Sequence, residues 1–148
     1  MEKVKKQGME SLFVPYEIAL ALKELGFDEP CFGYYLNREF NFFYNTIISE
    51  RINSKTKDIF NSDVIVAPTY SQAFRWFRGK YGYFQLFDFQ VGDSKITKGF
   101  FFSIINIHNE DFFFPEDFEN IIYKTYEEAE LECLKKLIEI VRTKATSV

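Results

Sequence analysis

The sequence is poor in the residues that usually carry recognisable chemistry. It has one histidine (His108), one tryptophan (Trp76) and two cysteines, Cys31 and Cys133. The cysteines stand alone, with no CxxC and no neighbouring histidine, which removes any zinc-finger spacing or disulfide framework. Either reads as a small buried hydrophobe, and the helical position of Cys133 makes that reading natural there. There is no Gly-x-Ser-x-Gly elbow and no Gly-rich phosphate loop, so serine–histidine chemistry would rest on His108 alone. His108 falls in a turn beside Glu110 and Asp111. It reads as a solvated turn residue, since catalysis or metal binding needs partners converging in space. No catalytic residue, metal or cofactor is expected. No apolar run approaches a membrane span. The opening Met-Glu-Lys-Val-Lys-Lys-Gln-Gly-Met-Glu has none of a signal peptide's apolar core. A cytoplasmic address without a membrane partner is the expectation.

Aromatic residues are what the chain has in excess. Hydrophobic residues make up 47% and aromatics 20%, with 19 Phe and 9 Tyr, which argues against disorder. Phe and Tyr fit pleated, half-buried surfaces, so the excess points toward strands. At 148 residues the chain is long enough for one domain, 1–148, with a real core. The net charge of −4 is unevenly spread. Nine acids between Glu110 and Glu132 face only Lys124, a local charge of −8 that leaves +4 elsewhere. A phosphate-binding footprint would have to avoid that third of the chain.

Residues 1–12 read as a charged, frayed start. Pro15 opens a helix over 16–25 that Gly26 stops. Ile18, Ala21, Leu22 and Leu25 share one face, with Tyr16, Ala19 and Leu20 opposite. Such a helix is either sandwiched or docked on a partner. Residues 31–36 and 42–48 read as a hairpin across a turn at 37–41. The polar stretch 49–61 reads as a mobile loop and 64–67 as a short strand ended by Pro68. A helix over 70–81 has Tyr70, Ala73, Phe74, Phe77 and Tyr81 on its core face. Strands follow at 83–90 and 96–107, the second apolar on both faces and therefore central or doubly covered. In the first, Tyr83, Gln85, Phe87 and Phe89 alternate with Phe84, Leu86, Asp88 and Gln90. Short extended pieces at 112–114 and 121–123 lead to a last helix over 125–141. Thr125 caps it, with Glu128 placed to reach back to the cap's own N–H.

The class is α+β: mainly antiparallel sheet with three helices, the first and last packed on it. A 56-residue offset sets Thr69, Tyr70, Gln72 and Ala73 against Thr125, Tyr126, Glu128 and Ala129. Two copies of a strand–strand–strand–helix unit would explain this, and so would chance recurrence of a cap; unequal strand orders would end the duplication.

The best binding candidate is Arg75-Trp76-Phe77-Arg78-Gly79-Lys80. Five bases between Arg75 and Lys98 (Arg75, Arg78, Lys80, Lys95 and Lys98) face Asp88 and Asp93, a local +3. Guanidinium groups beside the ring of Trp76 could hold a single strand or an acidic protein surface. The plainer reading is an amphipathic helix with a snorkelling edge. Glu130 is the second candidate, a carboxylate amid Tyr126, Leu134, Leu137 and Val141. Burial there would raise its pKa, whereas solvent at the helix start would leave it ordinary. Along the outer face of this helix, Glu132 and Lys136 form a favourable pair.

Three stretches carry a resemblance: Phe13-Val-Pro-Tyr-Glu-Ile-Ala-Leu-Ala-Leu-Lys-Glu-Leu-Gly-Phe-Asp-Glu-Pro-Cys-Phe, Ala67-Pro-Thr-Tyr-Ser-Gln-Ala-Phe-Arg-Trp-Phe-Arg-Gly-Lys-Tyr-Gly and Tyr123-Lys-Thr-Tyr-Glu-Glu-Ala-Glu-Leu-Glu-Cys-Leu-Lys-Lys-Leu-Ile-Glu-Ile-Val. Together they resemble a family of small uncharacterised proteins from gut bacterial genomes and their phages or other mobile elements. The resemblance implies a small accessory protein and carries over no activity, cofactor or catalytic residue. The strand–strand–helix ending in Thr-Tyr-Glu-Glu-Ala is also similar to the sheet-reading DNA-binding modules of phage integrases, although the −8 segment counts against DNA there. The expectation is a non-enzymatic protein that binds a protein partner or itself. Nucleic-acid binding through the basic aromatic helix is the alternative, and a small ligand-binding or enzymatic domain the third.

Overall fold

The structure, a computed structural model, describes residues 8–43, 64–92, 98–114 and 122–147. Residues 1–7, 44–48 (expected as strand), 49–61 (expected as a loop), Lys95 and Ile121 lie outside the described residues. The elements are α1 (Tyr16–Glu24), β1 (Gly33–Leu36), β2 (Glu39–Phe42), β3 (Val64–Ala67), α2 (Tyr70–Tyr81), β4 (Tyr83–Gln90), β5 (Gly99–Asn106), β6 (Phe112–Phe113) and α3 (Tyr126–Thr146). This is an α+β fold with two antiparallel three-stranded sheets, ordered β2-β1-β3 and β4-β5-β6. Two compact units divide inside α2, the first ending at Ala73 and the second beginning at Phe74.

In the first unit the chain is ordered earlier than its charged start suggests. Residues 8–10 are helical, and the Leu12 carbonyl accepts the Tyr70 N–H at 3.3 Å. Helix α1 then follows Pro15 and ends where Gly26 takes φ 90. Ile18, Ala19, Ala21 and Leu22 are all buried, and Tyr16 meets the Tyr35 ring edge-on at 5.6 Å. Both arcs of the helix are thus covered, so it gives no argument for an external partner.

The β1–β2 turn is tighter than expected. Only Asn37 and Arg38 form it, with φ of 51 and 67, and β2 starts at Glu39. Two positive φ values match the right-handed twist of a hairpin. Asn tolerates that region, and the Arg38 guanidinium rests 5.1 Å from the Tyr16 ring centre. Beneath the sheet, Phe40 packs against Phe13, Tyr35 and Phe42 at ring separations of 4.9, 5.5 and 4.9 Å.

In the second unit β5 is central, as its two apolar faces require. Helix α3 packs on its inner face. Tyr126 reaches Phe87 and Phe100 at 4.9 and 5.8 Å, and Lys144 lies over Tyr83 and Phe113. Beyond β6, Tyr123 bridges to Phe100 through N–H···O bonds of 2.8 and 2.7 Å. That crossing explains Gly99, where a Cβ would strike the Ile122 side chain and approach the Tyr123 carbonyl oxygen to 2.6 Å.

Thr125 caps α3 by accepting the Glu128 N–H at 3.1 Å. The Glu128 carboxylate, however, accepts the Lys124 N–H at 3.0 Å, one residue earlier than a capping box would have it. The helix also runs five residues past Val141, because Arg142 to Thr146 contains no Gly or Pro to stop it. On its outer face Lys135 pairs with Glu132 and Lys136 with Glu139, both three residues apart, in place of the Glu132–Lys136 pair.

Thr69 does repeat the cap, accepting the Gln72 N–H at 3.2 Å. Yet the Gln72 side chain donates to the Pro30 carbonyl instead. The first strand is central in one sheet and the second strand in the other. The correspondence between halves therefore ends at element type and cap.

Candidate functional site

The basic aromatic segment lies on α2 much as its spacing implies, but its groups are already engaged. Trp76 is only 7% exposed. Its ring meets Phe77 and Tyr81 edge-on at 5.1 and 5.4 Å, and Lys80 Nζ sits 4.8 Å from its centre. A base could not stack on it without displacing these neighbours. Arg78 donates to Gln85 Oε1 at 3.2 Å while its guanidinium lies 5.8 Å from the Phe84 ring centre. Gln85 and Phe84 point to opposite faces of the sheet, so Arg78 lies across the outer margin of β4. Arg75 and Lys98 are exposed, the latter just before β5.

Sequence reasoning did not single out the outer face of the second sheet. The pairing sets Phe84 opposite Ile105, Ile105 opposite Phe112 and Leu86 opposite Ser103. An apolar row therefore crosses all three strands. Leu86 and Phe112 are each 52% exposed, and Ile107 54%. Phe112 and Phe114 stack at 5.7 Å with planes 9° apart. The inner face is the opposite case, with Tyr83, Phe102 and Ile104 all buried. Large apolar groups gathered on one exposed face mark an interaction surface more often than scattered ones do. The signal was in the alternation of β4, where Phe occupies both faces and Leu86 adds to the outer one.

Glu130 is half-buried, and its pKa is raised by that burial and by the nearby Glu127 carboxylate. Among the described residues no hydrogen bond or ion pair reaches it. Because the folded state holds the proton more tightly than the unfolded chain, stability falls as pH rises through the window between the ordinary glutamate value and the raised one. Glu130→Gln is expected to raise the melting temperature at pH 7 and to leave it unchanged near pH 3, where both states are protonated. Equal melting temperatures at pH 7 would show the carboxylate to be solvated.

The cysteines are buried thiols. Burial, with Glu29 nearby, pushes Cys31 up to about 12, and burial, aided by Glu130, pushes Cys133 well above its ordinary range. Neither is placed as a thiolate nucleophile. His108 is exposed, its ring lying against Gly82 and its backbone N–H donating to Asn106 Oδ1 at 2.9 Å. Among the described residues no group of three His, Cys, Asp or Glu side chains is arranged to hold a metal ion. Nor is any described helix long and apolar enough to cross a membrane. No protein-family model, curated protein or solved structure matches the chain.

Proposed function

We propose that the chain is a small, non-enzymatic accessory protein of a phage or mobile element, working in the cytoplasm by binding a protein through the outer face of its second sheet. The observation that carries this is the row Phe84, Ile105 and Phe112 with Leu86 and Ile107 beside it, three of them more than half exposed. Keeping such groups in water costs roughly 25 cal/mol per Å² of apolar surface, which a partner would recover. The origin in a mobile element rests on the three resembling stretches alone.

Nucleic-acid binding through Arg75, Arg78, Lys80, Lys95 and Lys98 takes second place. It keeps a local charge of +3 but has no exposed stacking ring at Trp76. The test compares tagged wild type with the double variant Leu86→Lys/Phe112→Lys in cross-linked cells. A protein captured by wild type should fall at least about tenfold in the variant, as for loss of central apolar contacts, with the melting temperature unchanged. Equal capture by the folded variant would sink the reading, and binding of single-stranded DNA lost on Arg75→Glu/Arg78→Glu would favour the alternative.

A further inference from the structure

We propose that the free edge of β4 pairs with the same edge of a second copy of this chain, antiparallel and centred on Leu86. Among the described residues β4 pairs only with β5, which leaves an eight-residue edge strand. Its polarity can be read from the ladder. The Ile107 N–H donates to the Gly82 carbonyl at 3.0 Å, so the even-numbered residues of β4 turn their backbone groups toward β5. Gln85, Phe87 and Phe89 therefore present theirs to the free edge, whereas the buried Tyr83 is already covered. Phe89 agrees with this, since its N–H is taken up by the Asp88 carboxylate at 2.7 Å.

Charge selects both the occupant and the register. Arg78 crosses the edge beside Phe84, and Asp88 stands four residues further along it. A two-fold axis through Leu86 sets Gln85 opposite Phe87 of the second copy, closing backbone hydrogen bonds twice, and sets Phe84 opposite that copy's Asp88. Each guanidinium then meets the other copy's carboxylate, and symmetry makes the contact twice. Moving the axis to Phe87 would instead press Asp88 onto Leu86, and moving it to Asp88 would oppose the two carboxylates. Only the Leu86 register joins unlike charges. Edge strands often carry charge to prevent pairing; here the two charges are of opposite sign, at the spacing that self-pairing requires.

This goes beyond the proposed partner binding, because edge pairing leaves the outer face open and joins two such faces side by side. The test is sedimentation velocity on the full chain across a concentration series. Wild type should dimerise, and Arg78→Asp or Asp88→Arg alone should weaken the dimer by about tenfold or more. The double exchange Arg78→Asp/Asp88→Arg should restore it, which no unfolding artefact can mimic. A wild type monomeric throughout, single variants that dimerise as tightly as wild type, or a double variant no tighter than the single ones would each overturn the proposal. Because Leu86 also sits on the proposed axis, capture is repeated with Phe112→Lys alone, which leaves the β4 edge unchanged, so the two proposals can fail independently.

Discussion

Replacing Trp76 by alanine is expected to cost about 3–5 kcal/mol, the range for a large aromatic removed from a core. The ring is 7% exposed and bounded by Phe77 and Tyr81, so its removal leaves a void that the helix cannot readily fill. Out of a total stability of about 5–15 kcal/mol, that loss would leave many such chains partly unfolded at ambient temperature. The neighbouring Arg75→Ala and Lys80→Ala should stay within about 0.5–1 kcal/mol, the second losing a cation–π contact. Urea unfolding separates the two views of this segment. A Trp76→Ala protein as stable as wild type would return the ring to the surface and revive it as a stacking platform.

Where the chain carries strong end signals, its elements were legible to the residue. Helix α2 lies between the Thr69 cap and Gly82, and β4 follows it with the expected alternation. β3 ends at Pro68 as read. The misses have equally local causes. Asn37-Arg38 contains no glycine, so a two-residue turn with two positive φ values left no ordinary mark. The last five residues of α3 are helical yet exposed, so no apolar period extends through them. Division of the strands into two sheets was not legible, because strand order depends on long-range pairing that alternation does not encode.

The candidate site was legible in composition and not in exposure. Arg75, Trp76, Arg78 and Lys80 fall on α2 at the expected spacing, but spacing cannot say that Lys80 covers the tryptophan. Trp76 lies outside the core face of Phe74 and Phe77 that spacing defines, and burial of all three shows a wider arc. On β4 both faces carried Phe, so alternation separated the faces without saying which would meet α3. The pairing with β5 and the position of Tyr126 decide that. The exposed surface consequently moved from a charged helix to an apolar sheet.

On α3, Leu137→Ala is expected to cost about 2–5 kcal/mol and to fall in the upper half of that range. Leu137 is fully buried between Leu134, Ile138 and Val141, also buried, on a helix that packs along β5. Close-packed neighbours relax only partly toward a cavity, so the void adds its own cost to the lost transfer energy. The exposed ion pairs on the same helix set the contrast. Lys135→Ala and Glu139→Ala each break a surface pair and should shift stability by less than about 1 kcal/mol. Thermal and urea unfolding of the three variants would rank these contributions directly. If Leu137→Ala cost no more than Lys135→Ala, α3 would not be held by its apolar face. Its attachment would then have to rest on contacts at its ends, through Tyr126 against Phe87 and Lys144 against Tyr83.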